Sequence, residues 1–175
     1  MKKTDTMRRI IIYLIFISIP ICIIFFFSNQ AGPQSYGLSN RLSTYIAVKW
    51  NQIFSLNLSD VNLKLLITSL YMPTRKLAHI IEYTTLGLFA FAGMYLLQRR
   101  VKLSGIIITI LLIIFIASCD EIHQFYVLQR GSHISDVYID VISGTVGVYL
   151  FIIIKDFCRK VKYLFQNNSN KKVTY

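Results

Sequence analysis

The residues that could do chemistry are concentrated in one stretch of this chain. All three histidines (His79, His123 and His133) and five of the eight acidic residues (Glu82, Asp120, Glu121, Asp136 and Asp140) fall between Arg75 and Asp140. They sit at or inside the ends of membrane-length apolar runs. Ionisable groups are expensive in hydrocarbon, so such a cluster is a functional-site candidate by default. Glu82 stands about five residues, or roughly 8 Å, into its apolar run. A carboxylate at that depth takes up a proton or finds a partner, and Arg75 and His79 are the nearest in sequence.

Arg75, His79, Glu82 and Leu86 are spaced four, three and four apart and share a helical face, with Tyr83 beside it. Asp120, His123 and Gln124 share a face if the third apolar run continues as a helix, and Glu121 then points elsewhere. Asp136, Asp140, Gly144 and Gly147 line one face of a fourth helix, where the glycines admit a close neighbour.

Three chemistries fit this inventory. The i, i+3 pairs His79/Glu82 and Asp120/His123 are the spacing at which two side chains can meet one ion. Di-metal carboxylate bundles use similar acid/histidine spacing, with further acids from other helices, a part open to Asp136 and Asp140. The sequence requires no cofactor, and a divalent metal held by His79, Glu82, Asp120 and His123 is the one its spacing would admit. The second possibility is a metal-free network of ion pairs with Arg75, Lys76 and Arg130 that locks three helices together. The third is general acid/base work, because adjacent Asp120 and Glu121 repel and burial raises carboxyl pKa values. No activated Ser or Cys nucleophile is visible. Ser132 and Ser135 read as turn and capping residues, and Cys22, Cys119 and Cys158 have neither disulfide nor metal spacing. Arg75, Lys76 and Arg130 also suit a phosphate or carboxylate head group.

Four apolar runs must position these groups, at about residues 10–27, 77–97, 103–119 and 137–154. Eighteen helical residues span about 27 Å, close to a bilayer core. With 54% hydrophobic residues and a mean hydropathy of +0.53, the chain reads as an all-α membrane protein with four transmembrane helices. The first run, preceded by Lys2, Lys3, Arg8 and Arg9, is too long for a signal-peptide core and has no A-x-A site, so it reads as a retained anchor. Pro20 is expected to kink it.

Residues 28–74 contain no membrane-length run. Leu42, Tyr45, Ile46, Trp50 and Ile53 recur near helical spacing, which predicts an amphipathic extracytoplasmic helix at the interface. A short second helix is expected from Asp60, as N-cap, to about Tyr71. Residues 1–165 read as one domain and 166–175 as a polar, disordered tail.

The net charge is +11. The basic residues flank apolar runs and form no stripe with interleaved aromatics, which argues for an anionic membrane surface and against nucleic acid. Four spans put both termini on one side. With the termini inside, the cytoplasmic segments hold Lys2, Lys3, Arg8, Arg9, Arg99, Arg100, Lys102, Lys155, Arg159, Lys160, Lys162, Lys171 and Lys172. The other side holds only Arg41, Lys49, Lys64, Arg75, Lys76 and Arg130. The positive-inside rule therefore gives N-in, C-in, with the ionisable cluster toward the extracytoplasmic face. No internal repeat is visible, and the chain is small for an inverted-repeat transporter, although a homo-oligomer would supply the missing half.

The same segments resemble the VanZ-like membrane protein family. The matching pieces are Phe27-Ser28-Asn29-Gln30, Arg75-Lys76-Leu77-Ala78-His79-Ile80-Ile81-Glu82-Tyr83 through Leu86-Gly87, Asp120-Glu121-Ile122-His123-Gln124-Phe125, Arg130, and Asp136 through Asp140 to Gly144 and Gly147. His133 stands where the pattern has a small residue. The resemblance covers roughly residues 10–154 and implies a role in the bacterial cell envelope, at the cytoplasmic membrane. It links the chain to resistance to teicoplanin-type glycopeptides, apart from the D-Ala-D-Lac pathway. The expected partners are membrane lipids or lipid-linked envelope precursors. The working alternatives are binding of such a head group, enzymatic modification of a lipid-linked precursor, and a small transporter or flippase. The scarcity of ionisable residues in the cytoplasmic halves of the spans disfavours the last.

Overall fold

A 39-residue helix runs through the middle of the structure and touches every other element. The computed structural model describes residues 3–29, 32–127 and 134–172. Among them are five α-helices and no strand: α1 (Lys3–Ser28), α2 (Gly32–Ile53), α3 (Asp60–Gln98), α4 (Leu103–Tyr126) and α5 (Ile134–Lys172). Four of these, α1, α3, α4 and α5, are long and apolar enough to cross a membrane. Helix α3 packs against α1, α2, α4 and α5.

The outward surface confirms what such helices need as solvent. Ile11, Ile15, Ile19 and Ile23 form an exposed i, i+4 stripe on α1, and Leu111 and Phe115 of α4 and Ile142, Val146 and Ile153 of α5 are likewise exposed. A wall of this kind is stable only against lipid. The inward faces meet in a core of Ile24 from α1, Tyr83, Leu86, Phe91 and Met94 from α3, Ile113, Ile116 and Ala117 from α4, and Val148 from α5.

Close backbone approach fixes the α3–α5 crossing. A Cβ on Gly87 would overlap the carbonyl oxygen of Gly144, and one on Gly147 would overlap the carbonyl oxygen of Thr84. The Thr84 hydroxyl donates to the Ser143 carbonyl at 3.2 Å across the same contact. Gly144 and Gly147 thus serve helix packing, as their spacing suggested, and Gly87 is their counterpart.

The segment between the first two spans differs in part from expectation. Helix α2 forms, with Trp50, Tyr45 and Ile53 exposed. Pro33 falls in its first turn, where a missing N–H costs nothing. Ser55 and Asn57 adopt left-handed φ angles of 48° in the turn that follows, and the Asn51 side chain accepts from the Leu58 N–H at 3.2 Å. The short helix expected from Asp60 to Tyr71 is instead the first part of α3. Its N-cap is Ser59, which accepts from the Asn62 N–H, and Asp60 lies in the first turn. Pro73 lies inside this helix without ending it. A proline removes one backbone bond, a loss that packing by neighbouring helices offsets in membrane bundles. Here α2 supplies such packing, with Ser43 donating to Thr74 at 3.1 Å beside the fully buried Ala47.

The loop ends are similarly local. Arg99 takes a left-handed conformation (φ 60°) and its N–H caps the Tyr95 carbonyl, closing α3 before the short turn to α4. Helix α4 runs through the Asp120–Phe125 block to Tyr126. Helix α5 continues to Lys172 and so takes in residues 166–172. They contain neither Gly nor Pro, and extending an existing helix avoids the nucleation cost.

Candidate functional site

Three helices bring their polar residues to one end of the bundle through i, i+4 pairs. Side chains four apart on a helix differ by about 40° around the axis, whereas those three apart differ by about 60° in the opposite sense. The pairs that come together are His79/Tyr83 on α3, Asp120/Gln124 on α4 and Asp136/Asp140 on α5. The His79 and Tyr83 rings lie nearly parallel, with centroids 6.5 Å apart.

Asp120 is the junction of one chain of contacts. Its Oδ2 accepts from the Tyr83 hydroxyl at 3.3 Å and from the Gln124 amide at 2.9 Å. The Gln124 carbonyl oxygen in turn accepts from Arg75 Nη2 at 3.2 Å. Arg75 therefore fixes which way the Gln124 amide faces, and the amide holds one Asp120 oxygen. Tyr83 and Gln124 are fully buried and Asp120 is 1% exposed. Such a network keeps its value only when its members are satisfied, because an unpaired buried polar group carries its full desolvation cost.

A second contact joins α3 to α5. His79 Nδ1 lies 3.4 Å from Asp140 Oδ1, with both side chains buried. The separation is in ion-pair range, at the long end for a hydrogen bond, and neither Asp140 oxygen accepts a well-formed one among the described residues. Asp120 Oδ1 is in the same condition. One ligating atom from each of His79, Asp120 and Asp140 lies within 4.8 Å of the other two. A cavity of about 10 Å³ lies on the His79 and Asp140 side of the group, lined by Met72, Arg75, Lys76, His79, Asp136, Ile139 and Asp140. Asp136 is buried above Asp140, with its Oδ1 accepting from Ser135 at 3.4 Å.

The remaining candidates face elsewhere. Glu82 turns toward α1 and lines a groove with Pro20, Ile23, Ile24 and Phe27. His123, half-buried, presents its ring to Phe25 of α1 at 6.1 Å. The four-residue set His79, Glu82, Asp120 and His123 is thus split: His79 and Asp120 meet in the centre, and the other two face α1. Arg130 and His133 lie outside the described residues.

Glu121 is buried on another face of α4. It lines a groove of about 610 Å³ between the ends of α4 and α5, with Ser118, Ile122, Phe125, Tyr126 and Tyr138 among the other walls. Volumes of this order suit a lipid-sized or drug-sized ligand. The sequence reading separated Glu121 from the Asp120 face but did not place this groove, which needs α5 as its second wall. It also missed the Ser43–Thr74 tie, which no helical period marks.

The family model VanZ/LLP1 matches residues 10–155 of the chain, from the first apolar turns of α1 into α5. The match includes the α3, α4 and α5 residues of the network. No curated protein and no solved structure matches the chain at a significant level.

Proposed function

This chain belongs to the VanZ/LLP1 family, and from that premise we propose that it acts at the outer face of a bacterial cytoplasmic membrane. There it receives the head group of a membrane lipid or lipid-linked envelope precursor, and so lowers the access of teicoplanin-type glycopeptides. The observation that carries this reading is the α4–α5 groove. It places the Glu121 carboxyl in a recess whose other walls include the exposed Ile122, Phe125, Tyr126 and Tyr138. A mostly apolar recess with Ser118 and Glu121 in its wall suits an amphiphile, whose polar group would meet those two side chains while the apolar rim takes the chain. The outward orientation is supported by the distribution of Lys and Arg among the connecting segments.

The test is teicoplanin susceptibility in a sensitive Gram-positive host expressing wild type, Glu121→Gln or Tyr138→Ala at matched membrane abundance. Wild type is expected to raise the inhibitory concentration and both variants to lose most of that protection. Protection by wild type that both variants retain would remove the groove from the reading. No protection by wild type would remove the antibiotic role.

A second reading, enzymatic modification of a lipid-linked precursor, is favoured by the convergence of His79, Asp120 and Asp140. It predicts a new lipid species in membranes of expressing cells that disappears in Asp140→Asn. Unchanged lipid profiles in wild-type cells would refute it.

A further inference from the structure

We propose that His79, Asp120 and Asp140 form a binding site for one divalent transition-metal ion of the Zn²⁺ or Mn²⁺ class, joining α3, α4 and α5. The inference concerns ion binding alone and holds whether or not the protein alters antibiotic access.

Three observations converge on it. The first is the donor set: one imidazole nitrogen and two carboxylates, each contributed by a different helix, within 4.8 Å of one another. Mixed nitrogen and oxygen donors suit borderline first-row ions better than Ca²⁺ or Mg²⁺, which take oxygen alone.

The second is that the atoms aimed inward lack other partners. Asp120 and Asp140 are each 1% exposed. Asp120 Oδ1, both Asp140 oxygens and His79 Nδ1 have no hydrogen-bond partner among the described residues. Buried carboxylates are normally satisfied by hydrogen bonds or by a cation. A protonated His79 would answer only part of this, since its 3.4 Å contact is with Asp140 Oδ1 and leaves Asp140 Oδ2 and Asp120 Oδ1 without a partner.

The third is how Asp120 is held. Tyr83 and Gln124 both donate to Oδ2, which leaves Oδ1 without a hydrogen bond among the described residues and available to an ion. Metal-ligating carboxylates are commonly oriented in this way by donors on the oxygen away from the ion. The cavity of about 10 Å³ beside His79 and Asp140 has room for about one water-sized species, which could complete the ion's coordination. Donor atoms around a tetrahedral ion lie roughly 3.3 Å apart. The His79–Asp140 separation of 3.4 Å is already at that value, and all three donors lie within 4.8 Å of one another. Three protein ligands leave a position open for water or for a phosphate or carboxylate oxygen.

The experiment uses the full chain purified in detergent without a polyhistidine tag, stripped with EDTA and dialysed against Zn²⁺ or Mn²⁺. Bound metal is counted by mass spectrometry, and Mn²⁺ affinity is read by electron paramagnetic resonance. Wild type is expected to hold about one ion per chain. Asp120→Asn and Asp140→Asn should bind at least tenfold more weakly, while Glu82→Gln and His123→Ala keep full stoichiometry. Tyr83→Phe preserves every ligand atom and removes one of the two donors that hold Asp120 Oδ2. It should weaken affinity by about 10- to 100-fold without changing stoichiometry, which keeps the proposal testable if the aspartate variants do not fold. Metal-free wild type, equal binding by the aspartate variants, or unchanged affinity in Tyr83→Phe would overturn the site. Loss of binding in Glu82→Gln would also overturn it, because the ion would then lie at the α1 side of α3.

Discussion

Replacing Gly87 by alanine probes the contact that holds the polar site together. The added Cβ would overlap the Gly144 carbonyl oxygen and lie 2.8 Å from its carbonyl carbon and 3.1 Å from its Cα. Every one of these atoms is backbone, so no rotamer change can relieve the clash. Ordinary contact begins near 3.4 Å, so α3 and α5 must part by roughly 1.5 Å. His79 lies eight residues, about 12 Å, before Gly87, and Asp140 lies about one turn before Gly144. Parting the helices by that amount would take the His79–Asp140 separation from 3.4 Å to beyond 4 Å. Alanine gains about 1 kcal/mol of helix propensity over glycine, and overpacking against fixed backbone costs about 1–3 kcal/mol or more. With the loss of the interhelical contacts added, the expected net destabilisation is about 1–3 kcal/mol. Trp50 is the only tryptophan, so thermal unfolding in detergent can be followed by its fluorescence. A fall in midpoint of roughly 3–10 °C is expected. Gly37→Ala is the control: nothing lies within 4 Å of a Cβ there, and its midpoint should hold or rise. A Gly87→Ala protein as stable as wild type would show that the two backbones are not in contact, and the geometry of the site would fall with that contact.

Three further outcomes are expected. Gln124→Leu removes the donor to Asp120 and the acceptor for Arg75 and should destabilise the protein by about 1–3 kcal/mol in denaturant titrations; a neutral result would show that Asp120 does not depend on this network. A double-mutant cycle on Ser43→Ala and Thr74→Val should give a coupling of about 0.5–1.5 kcal/mol between α2 and α3, and additive effects would deny the contact. Cys158 is exposed just beyond the basic end of the fourth span. In a Cys22→Ala/Cys119→Ala background it should resist a membrane-impermeant maleimide in intact cells and react in inverted vesicles; the reverse pattern would invert the N-in, C-in orientation.

The sequence by itself determined the solvent and the number of spans. Four apolar runs of bilayer length admit few arrangements other than helices, because hydrocarbon offers no partner to backbone polar groups. It also singled out the residues that matter for packing and charge: Gly144 and Gly147 on one face of α5, and the acids and histidines gathered at the ends of three runs. Helical period could not choose among the partners. His79 can be grouped with Glu82 or with Tyr83, and Asp120 with His123 or with Gln124, since both spacings bring residues to neighbouring positions on a helix. Tertiary packing made the choice. The Gly87–Gly144 contact sets how α5 crosses α3, and with it which side of α3 faces the centre. Tyr83 and Gln124 thereby become buried donors to Asp120, Asp140 comes to His79, and Glu82 and His123 are turned toward α1. The same physics joined the segment from Asp60 to α3: the sequence predicted a short separate helix ending near Tyr71, but with α2 packed against it the helix runs on through Pro73.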